Sequence, residues 1–185
     1  MRYLFLFAIF SFSLLDDIKG KIQPMSAVAT LHLLCGKMAA GKSTLARKLQ
    51  TKHDAILIVE DEWLTELYPE EISSIPDYIK YSLRLKAILT DHVKSLLLQG
   101  VTVVLDFPAN TINQRESLRA LFKETQSLHV LHYLDVSDEV CKGQLRQRSK
   151  DLPAGTAFAS DAEFDVITRY FQPPSDEEGF TIVRY

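Results

Sequence analysis

The sequence predicts an α/β domain: a mostly parallel sheet with helices on both faces. Three observations carry that prediction. From residue 30 onward, short and nearly continuous apolar runs alternate with longer amphipathic stretches. The amphipathic stretches are marked off by capping and stopping residues. The length of 185 residues, with 46% hydrophobic and 24% charged residues, suits one core and neither a disordered nor a fibrous chain. Repetition of strand and helix in this order needs right-handed crossovers that lay helices against the sheet.

Leu31-His32-Leu33-Leu34-Cys35 reads as a buried strand, and after a glycine-bounded loop Ser43 to Gln50 reads as a helix with Leu45 and Leu49 on one face. Ala55 to Val59 is a second strand, apolar throughout as a doubly covered strand should be. Leu85, Ile88, Leu89, Val93, Leu96 and Leu97 recur at helical spacing until Gly100 supplies a stop. Val101 to Leu105 is the third strand. Thr111 with Gln114 forms a capping box opening a helix that carries Leu118, Leu121 and Phe122. Leu128 to Leu134 is the fourth strand, and Ser137 caps a helix running to about Ser149. Ser160 and Glu163 form a second capping box, for a helix ending before Pro173-Pro174, and Phe180 to Tyr185 is a last short strand. Lys150 to Ser160, with Pro153 and Gly155, reads as a mobile loop.

Between the first strand and its helix, Gly36-Lys37-Met38-Ala39-Ala40-Gly41-Lys42-Ser43 fits G-x-x-x-x-G-K-[ST] in full. The chemistry demands those residue types. Glycines let the backbone turn so that its N–H groups cradle phosphate oxygens, Lys42 reaches the β and γ phosphates, and the Ser43 hydroxyl ligates Mg²⁺. Residues 36–43, with Thr44 after them, are therefore the expected nucleotide-binding set.

Parallel sheets place ligands at the carboxyl ends of their strands. The second strand ends in Glu60-Asp61-Glu62, the third in Asp106 and the fourth in Asp135, so acidic groups are expected to converge near the phosphates. Asp106 has the form of the aspartate that holds Mg²⁺, its alternative being a strand-end turn residue. Asp61 is placed to take the proton of a hydroxyl attacking the γ phosphate, its alternative being an acidic cap on the helix starting near Trp63. Trp63, Tyr68 and Tyr78 are candidates to line an acceptor pocket or to serve as packing. His129 and His132 are three apart on a strand, hence on opposite faces, and cannot chelate one ion. No N-K-x-D guanine-reading motif is present, which disfavours a GTPase.

The P-loop, Asp61 after the second strand, Val103-Val104-Leu105-Asp106 followed by Asn110, and an arginine-bearing helix before a flexible loop together resemble a group of P-loop kinases. That group includes polynucleotide kinases, chloramphenicol phosphotransferase-like enzymes and zeta-toxin-like kinases. More narrowly, Leu31 to Tyr185, with Asp106-Phe107-Pro108-Ala109-Asn110-Thr111 and Phe171-Gln172-Pro173-Pro174, is similar to small bacterial proteins described as AAA-family ATPases or predicted kinases. The resemblance implies a P-loop NTPase fold with a five-stranded sheet of order 2-3-1-4-5, ATP with Mg²⁺, and a lid after the helix that follows strand four. It also gives Arg146 and Arg148 the role of closing over the transferring phosphoryl group, against the alternative of a solvated basic helix end. Two departures stand out. Polynucleotide kinase-like members carry an acceptor-holding arginine three positions after the strand-two aspartate, where this chain has Leu64. The R-L-x-x-R of many lid helices reads Gln144-Leu145-Arg146-Gln147-Arg148.

Residues 1–24 form a leader and residues 25–185 the kinase domain. The apolar run Tyr3 to Leu15 is too short for a membrane helix, which needs about 20 residues, and suits the apolar region of a signal peptide. No small-residue cleavage pattern follows at the expected distance, and Met25 favours an upstream extension read in front of a natural start, or a disordered or loosely docked leader, over secretion. A cytoplasmic location follows from the need for ATP. The net charge of −3 argues against a sequence-independent nucleic-acid coat. Cys35 and Cys141, without further partners, argue against a disulfide framework or zinc site.

The expected function is transfer of the γ phosphate of ATP to a hydroxyl of a small-molecule acceptor. Lys42 and the loop hold the phosphates, Ser43 and Asp106 hold Mg²⁺, Asp61 activates the acceptor, and Arg146 or Arg148 close over the transfer. A nucleic-acid acceptor is disfavoured by Leu64, and no membrane partner is expected for the main domain. The alternative is a regulatory nucleotide-binding ATPase that has no small-molecule acceptor.

Overall fold

A computed structural model describes residues 28–150 and 160–185. The leader and the loop between Lys150 and Ser160, which the resemblance makes a lid, lie outside the described residues. Five strands, β1 (Thr30–Cys35), β2 (Ile56–Val59), β3 (Val103–Pro108), β4 (Leu128–Tyr133) and β5 (Ile182–Arg184), form one parallel sheet of order β2-β3-β1-β4-β5. Among the described residues six helices accompany them: α1 (Lys42–His53), α2 (Glu60–Leu67), α3 (Ile75–Leu98), α4 (Ile112–Thr125), α5 (Asp138–Arg148) and α6 (Asp161–Thr168). This is the expected sheet, in the expected order.

Alternation along β1 divides the core between two faces. Leu31, Leu33 and Cys35 join Leu85, Leu89 and Val93 of α3 and Leu118, Leu121 and Phe122 of α4. Leu34, from the other face, joins Ala46 and Leu49 of α1, Cys141 and Leu145 of α5 and Phe164 of α6. Helices therefore cover both faces. Cys35 and Cys141 are both free and buried, one on each side.

The capping residues act as read: Thr111 and Gln114 close a full capping box on α4, as do Ser160 and Glu163 on α6. Three boundaries differ from expectation. Helix α3 begins at Ile75, ten residues before its apolar periodicity, because Ser74 caps it by accepting from the Asp77 N–H at 3.3 Å and Pro76 fits its first turn. The core stripe then continues upward through Ser82, a polar residue in a buried slot, which hides it from a hydrophobic pattern. Helix α2 starts directly at Glu60, and β3 continues through Asp106 to Pro108. A 3-10 turn at Asp176–Glu178, closed by Gly179 at φ 72°, was not expected from the pattern and packs its glutamate against α4.

A polar cluster of two histidines and a tyrosine sits within this framework. His132 shares a hydrogen bond of 2.9 Å with His32, and Tyr185 shares another with the far side of the His132 ring. Burial first, then neighbouring positive charge, lowers the pKa of both histidines to about 4. His129 lies on the opposite face, stacked on Phe122 at 3.7 Å, as the strand period requires.

Candidate active site

The loop after β1 is shaped by backbone. Gly36 takes φ +157°, and a Cβ there would stand 3.0 Å from the Leu134 carbonyl oxygen, so a side chain would crowd that backbone as well as strain its own. Ala39 at φ 57° and Gly41 at φ 96° turn the chain into α1, whose first turn opens with the Leu45 N–H donating to Gly41 O at 3.1 Å. Lys42 Nζ donates to Gly36 O and Lys37 O, each at 2.8 Å, and so lies across the loop. Burial pulls the Lys42 pKa down, while the charges of Asp106, Cys35 and Asp61 oppose that shift. Lys37 is tied outward to Asp138 at the start of α5. Met38 and Ala39 pack with the second core cluster, whereas Ser43 and Thr44 are exposed on the first turn of α1.

Ser43 stands near enough to Asp106 for its hydroxyl to favour the Asp106 carboxylate. Burial raises the Asp106 pKa and the Asp61 charge adds to this, while the Ser43 hydrogen bond and the Lys42 ammonium pull the other way. A buried carboxylate beside a hydroxyl is a pair of hard oxygen donors that fits Mg²⁺. The glycine cradle under a helix N-terminus fits a polyphosphate.

Asn110, four residues beyond Asp106, holds the loop from below. Its Oδ1 accepts from the Gly36 N–H at 3.0 Å, and its own N–H donates to Gln114 Oε1 at 3.0 Å. Arg115, fully buried, donates to Ala109 O at 3.0 Å, to Gln172 O at 2.8 Å and to both oxygens of Glu178 at 2.6 and 2.8 Å. The Gln172 N–H in turn donates to Asn110 O at 2.9 Å. The two peptides quoted for the resemblance, 106–111 and 171–174, are thus one hydrogen-bonded buttress under the phosphate loop. Burial works against the Glu178 carboxylate, yet the hydrogen bonds from Arg115 and Ser175 hold its pKa below the ordinary value.

Asp61 stands exposed on the first turn of α2, coupled electrostatically to both Asp106 and Lys42. Next to it Glu60 is 1% exposed and fully engaged: Ser82 Oγ donates to it, Lys86 Nζ lies 3.0 Å from Oε1, and Tyr78 Oη donates to Oε2 at 3.3 Å. Tyr78 Oη also donates to Asp61 Oδ1 at 3.3 Å, linking the exposed carboxylate to the buried one. Tyr78, Ser82 and Lys86 line a groove of about 290 Å³ between α3 and α4 that reaches Phe107, next to Asp106.

The convergence of acidic residues is narrower than the sequence predicts. Glu62 pairs with Arg47 on the surface at 2.6 Å, and Asp135 accepts from Tyr133 Oη at 2.9 Å beside β5. Of the three aromatics considered for an acceptor pocket only Tyr78 lines the groove. Trp63 is 41% exposed and Tyr68 packs on Tyr81 at 4.1 Å. Arg146 pairs with Asp161 of α6 at 2.6 Å, and Arg148 is exposed at the end of α5. Sequence reasoning missed Glu60 as a buried hub, with its partners Ser82 and Lys86. The only signal available was a polar residue at a helical core position.

Comparison with known proteins places this geometry. A protein-family model described as AAA domain matches residues 31–174. No curated protein matches the sequence. A structure from Chloroflexus aurantiacus, provisionally described as a kinase, is 17% identical with a TM-score of 0.66 over 85% of this chain and 87% of that one. Kti12 of Chaetomium thermophilum, solved with ADP and AlF3, is 16% identical with a TM-score of 0.60 over 84% and 89%. The APS kinase CysC of Mycobacterium tuberculosis, solved with AMPPNP and APS, is 19% identical with a TM-score of 0.54 over 80% and 85%. At these identities the likeness is one of fold.

Proposed function

Because the chain belongs to the AAA domain family of P-loop proteins, we propose that it is an ATP-dependent phosphotransferase acting on a hydroxyl of a small molecule. The observation that carries this reading is the groove linked to Asp61 through Tyr78: Tyr78 lines it and donates to the Asp61 carboxylate at 3.3 Å, so an acceptor hydroxyl at the Tyr78 end would approach a proton-accepting group. A purely regulatory nucleotide switch has no need of such a groove. Kinase neighbours of the same fold, one of them solved with a small-molecule substrate, add weight to it.

In the proposed mechanism the loop N–H groups and Lys42 bind the triphosphate, Lys42 leaving the Gly36 and Lys37 carbonyls that it now bonds. Ser43 and Asp106 would hold Mg²⁺, whose charge offsets that of the phosphate oxygens. Asp61 orients the acceptor hydroxyl and receives its proton as the oxygen bonds to the γ phosphorus. The bond from that phosphorus to the β–γ bridging oxygen breaks, ADP departs, and a phosphate monoester forms. Tyr78 and Glu60 fix the position of Asp61. Arg146 is proposed to leave Asp161 and, with Arg148, to meet the charge on the transferring group. ATP supply puts the reaction in the cytoplasm. Among the described residues no helix is long and apolar enough to cross a membrane.

The test is an assay of ATP consumption and monoester formation across alcohols, sugars, nucleosides, antibiotics and 5′-hydroxyl oligonucleotides. Acceptor-dependent ADP release is the expected outcome. Slow ATP hydrolysis indifferent to every acceptor and to Asp61→Asn would return the regulatory reading.

A further inference from the structure

The groove between α3 and α4 has a chemistry that discriminates among acceptors. Its floor is apolar, formed by Leu89, Val93, Leu105, Phe107, Leu118 and Leu121. Lys86 is its one cationic lining residue, and that charge is already answered by buried Glu60 at 3.0 Å. Beyond Tyr78, outside the lining itself, stands the exposed Asp61 carboxylate, 3.3 Å from Tyr78 Oη. An acceptor bearing a phosphate, sulfate or carboxylate would lose water against an apolar floor, find no unanswered cation in the lining, and approach the Asp61 carboxylate.

Several polar groups of the lining are also committed. The Thr90 hydroxyl donates to Lys86 O at 2.7 Å, the Ser117 hydroxyl donates to Asn113 O at 3.0 Å, and the Ser82 hydroxyl donates to Glu60. Gln114 Oε1 accepts from the backbone N–H groups of Asn110 and Thr111 at 3.0 and 3.1 Å. A polyol entering the groove would surrender hydrogen bonds to water and find few donors free to replace them.

We propose that the groove selects an uncharged alcohol with an apolar body, whose single hydroxyl points past Tyr78 to Asp61, and rejects anionic acceptors and polyols. The proposal rests on the phosphotransferase reading and narrows its acceptor. The apolar body supplies affinity by covering the leucine floor, and the hydroxyl is the one group that finds a polar partner.

The experiment uses the full chain with ATP and Mg²⁺, following monoester formation by phosphorus NMR. The probes are 3-phenylpropan-1-ol, the same skeleton bearing a ring carboxylate, and glycerol. The neutral aromatic alcohol should exceed each of the others by about tenfold or more in kcat/KM, the charged one losing to desolvation. Asn113→Arg, at an exposed position of the groove's lining, should close the gap between the alcohol and the carboxylate by raising turnover of the latter. Ser117→Arg, exposed one turn further along α4, should do the same, and unchanged ATP affinity by calorimetry shows that either variant is folded. Preference of the unaltered chain for the carboxylate or for glycerol would overturn the proposal and leave the phosphotransferase standing. The same holds if both arginine variants leave the ratio unmoved. ATP binding with no monoester from any probe, or from the wider acceptor panel, would overturn both.

Discussion

The two halves of the candidate site are built by different means. On the phosphate side, residues 36–44 are contiguous and the shape comes from backbone: a glycine where a Cβ would strike a carbonyl, two further residues at positive φ, and carbonyls that receive Lys42. On the acceptor side the shape comes from side chains that meet across 17 to 22 positions of sequence, Tyr78 with Asp61 and Ser82 with Glu60. A backbone cradle leaves little freedom for its residue types and holds the same ligand group wherever it occurs. A side-chain groove can change its ligand with one substitution on α3 or α4 while the sheet stays as it is. Nucleotide use and acceptor choice are thereby separable in this molecule.

The sharpest way to break that separation is to remove charge from each half in turn. Asp61→Asn keeps shape and should lower acceptor-dependent transfer by a factor of about 10² to 10⁴, the usual contribution of a positioned proton acceptor, with ATP affinity nearly intact. Asp106→Asn should also lower transfer, and in addition raise the Mg²⁺ concentration that gives half-maximal rate, because it weakens the pair with Ser43. Steady-state rates against Mg²⁺ distinguish the two. An identical Mg²⁺-dependent defect in both variants would place Asp61 in the metal site and dissolve the division between halves.

Lys42→Ala is the next largest. It removes charge-assisted hydrogen bonds to phosphate and should weaken ATP binding by about 10- to 100-fold in calorimetry without unfolding the domain. Unchanged affinity in the folded variant would end the nucleotide reading. Asn110→Ala is smaller and tests the buttress: it strips the Gly36 N–H of its acceptor at 3.0 Å, which should cost about fivefold in ATP affinity and leave acceptor discrimination as it was. A change in the acceptor ratio instead would show that the buttress couples the halves.

The same contrast explains what could be read from the sequence. The phosphate loop was legible because its chemistry is local, eight residues at fixed spacing between an apolar run and a helix. The position of Asp106 was legible because it follows Val103-Val104-Leu105, and the structure puts it near Lys42 and Ser43. The strand order came with the resemblance, since neither apolar runs nor caps say which strand lies beside which. Glu60 was not legible as a hub. An acidic residue after a strand looks the same whether it is solvated, as Glu62 is beside Arg47, or buried under Ser82, Tyr78 and Lys86. Asp135 misled for a similar reason, because its turn toward Tyr133 depends on where β5 lies. The start of α3 was missed because Ser82 occupies a core position in polar guise, and that disguise is the part of the helix that makes the groove.

The smallest effect expected is also the most informative about how the acceptor side is held. Tyr78 Oη donates to Glu60 and Asp61 at 3.3 Å each, long for hydroxyl donors, so each bond sits at the weak end of its class. Tyr78→Phe keeps the ring against the groove and should lower acceptor-dependent kcat/KM only about twofold, corresponding to roughly 0.5 kcal/mol, with ATP affinity unchanged. Its pH behaviour makes so small an effect testable. Burial first, and then the charges of Glu60 and Asp61, hold the Tyr78 phenol above its ordinary pKa. A group whose pKa is raised on folding keeps its protonated form up to its folded value, so the proton stays on Oη through the range near pH 10 where a free tyrosine ionises. The ratio of the unaltered chain to Tyr78→Phe should therefore stay flat from pH 7 to about 10, measured as kcat/KM in matched buffers. A ratio that falls toward one as pH approaches 10 would mean that Tyr78 titrates as a solvated phenol and holds Asp61 only while protonated, whereas a ratio of one throughout would mean that Asp61 is positioned by its own helix turn alone.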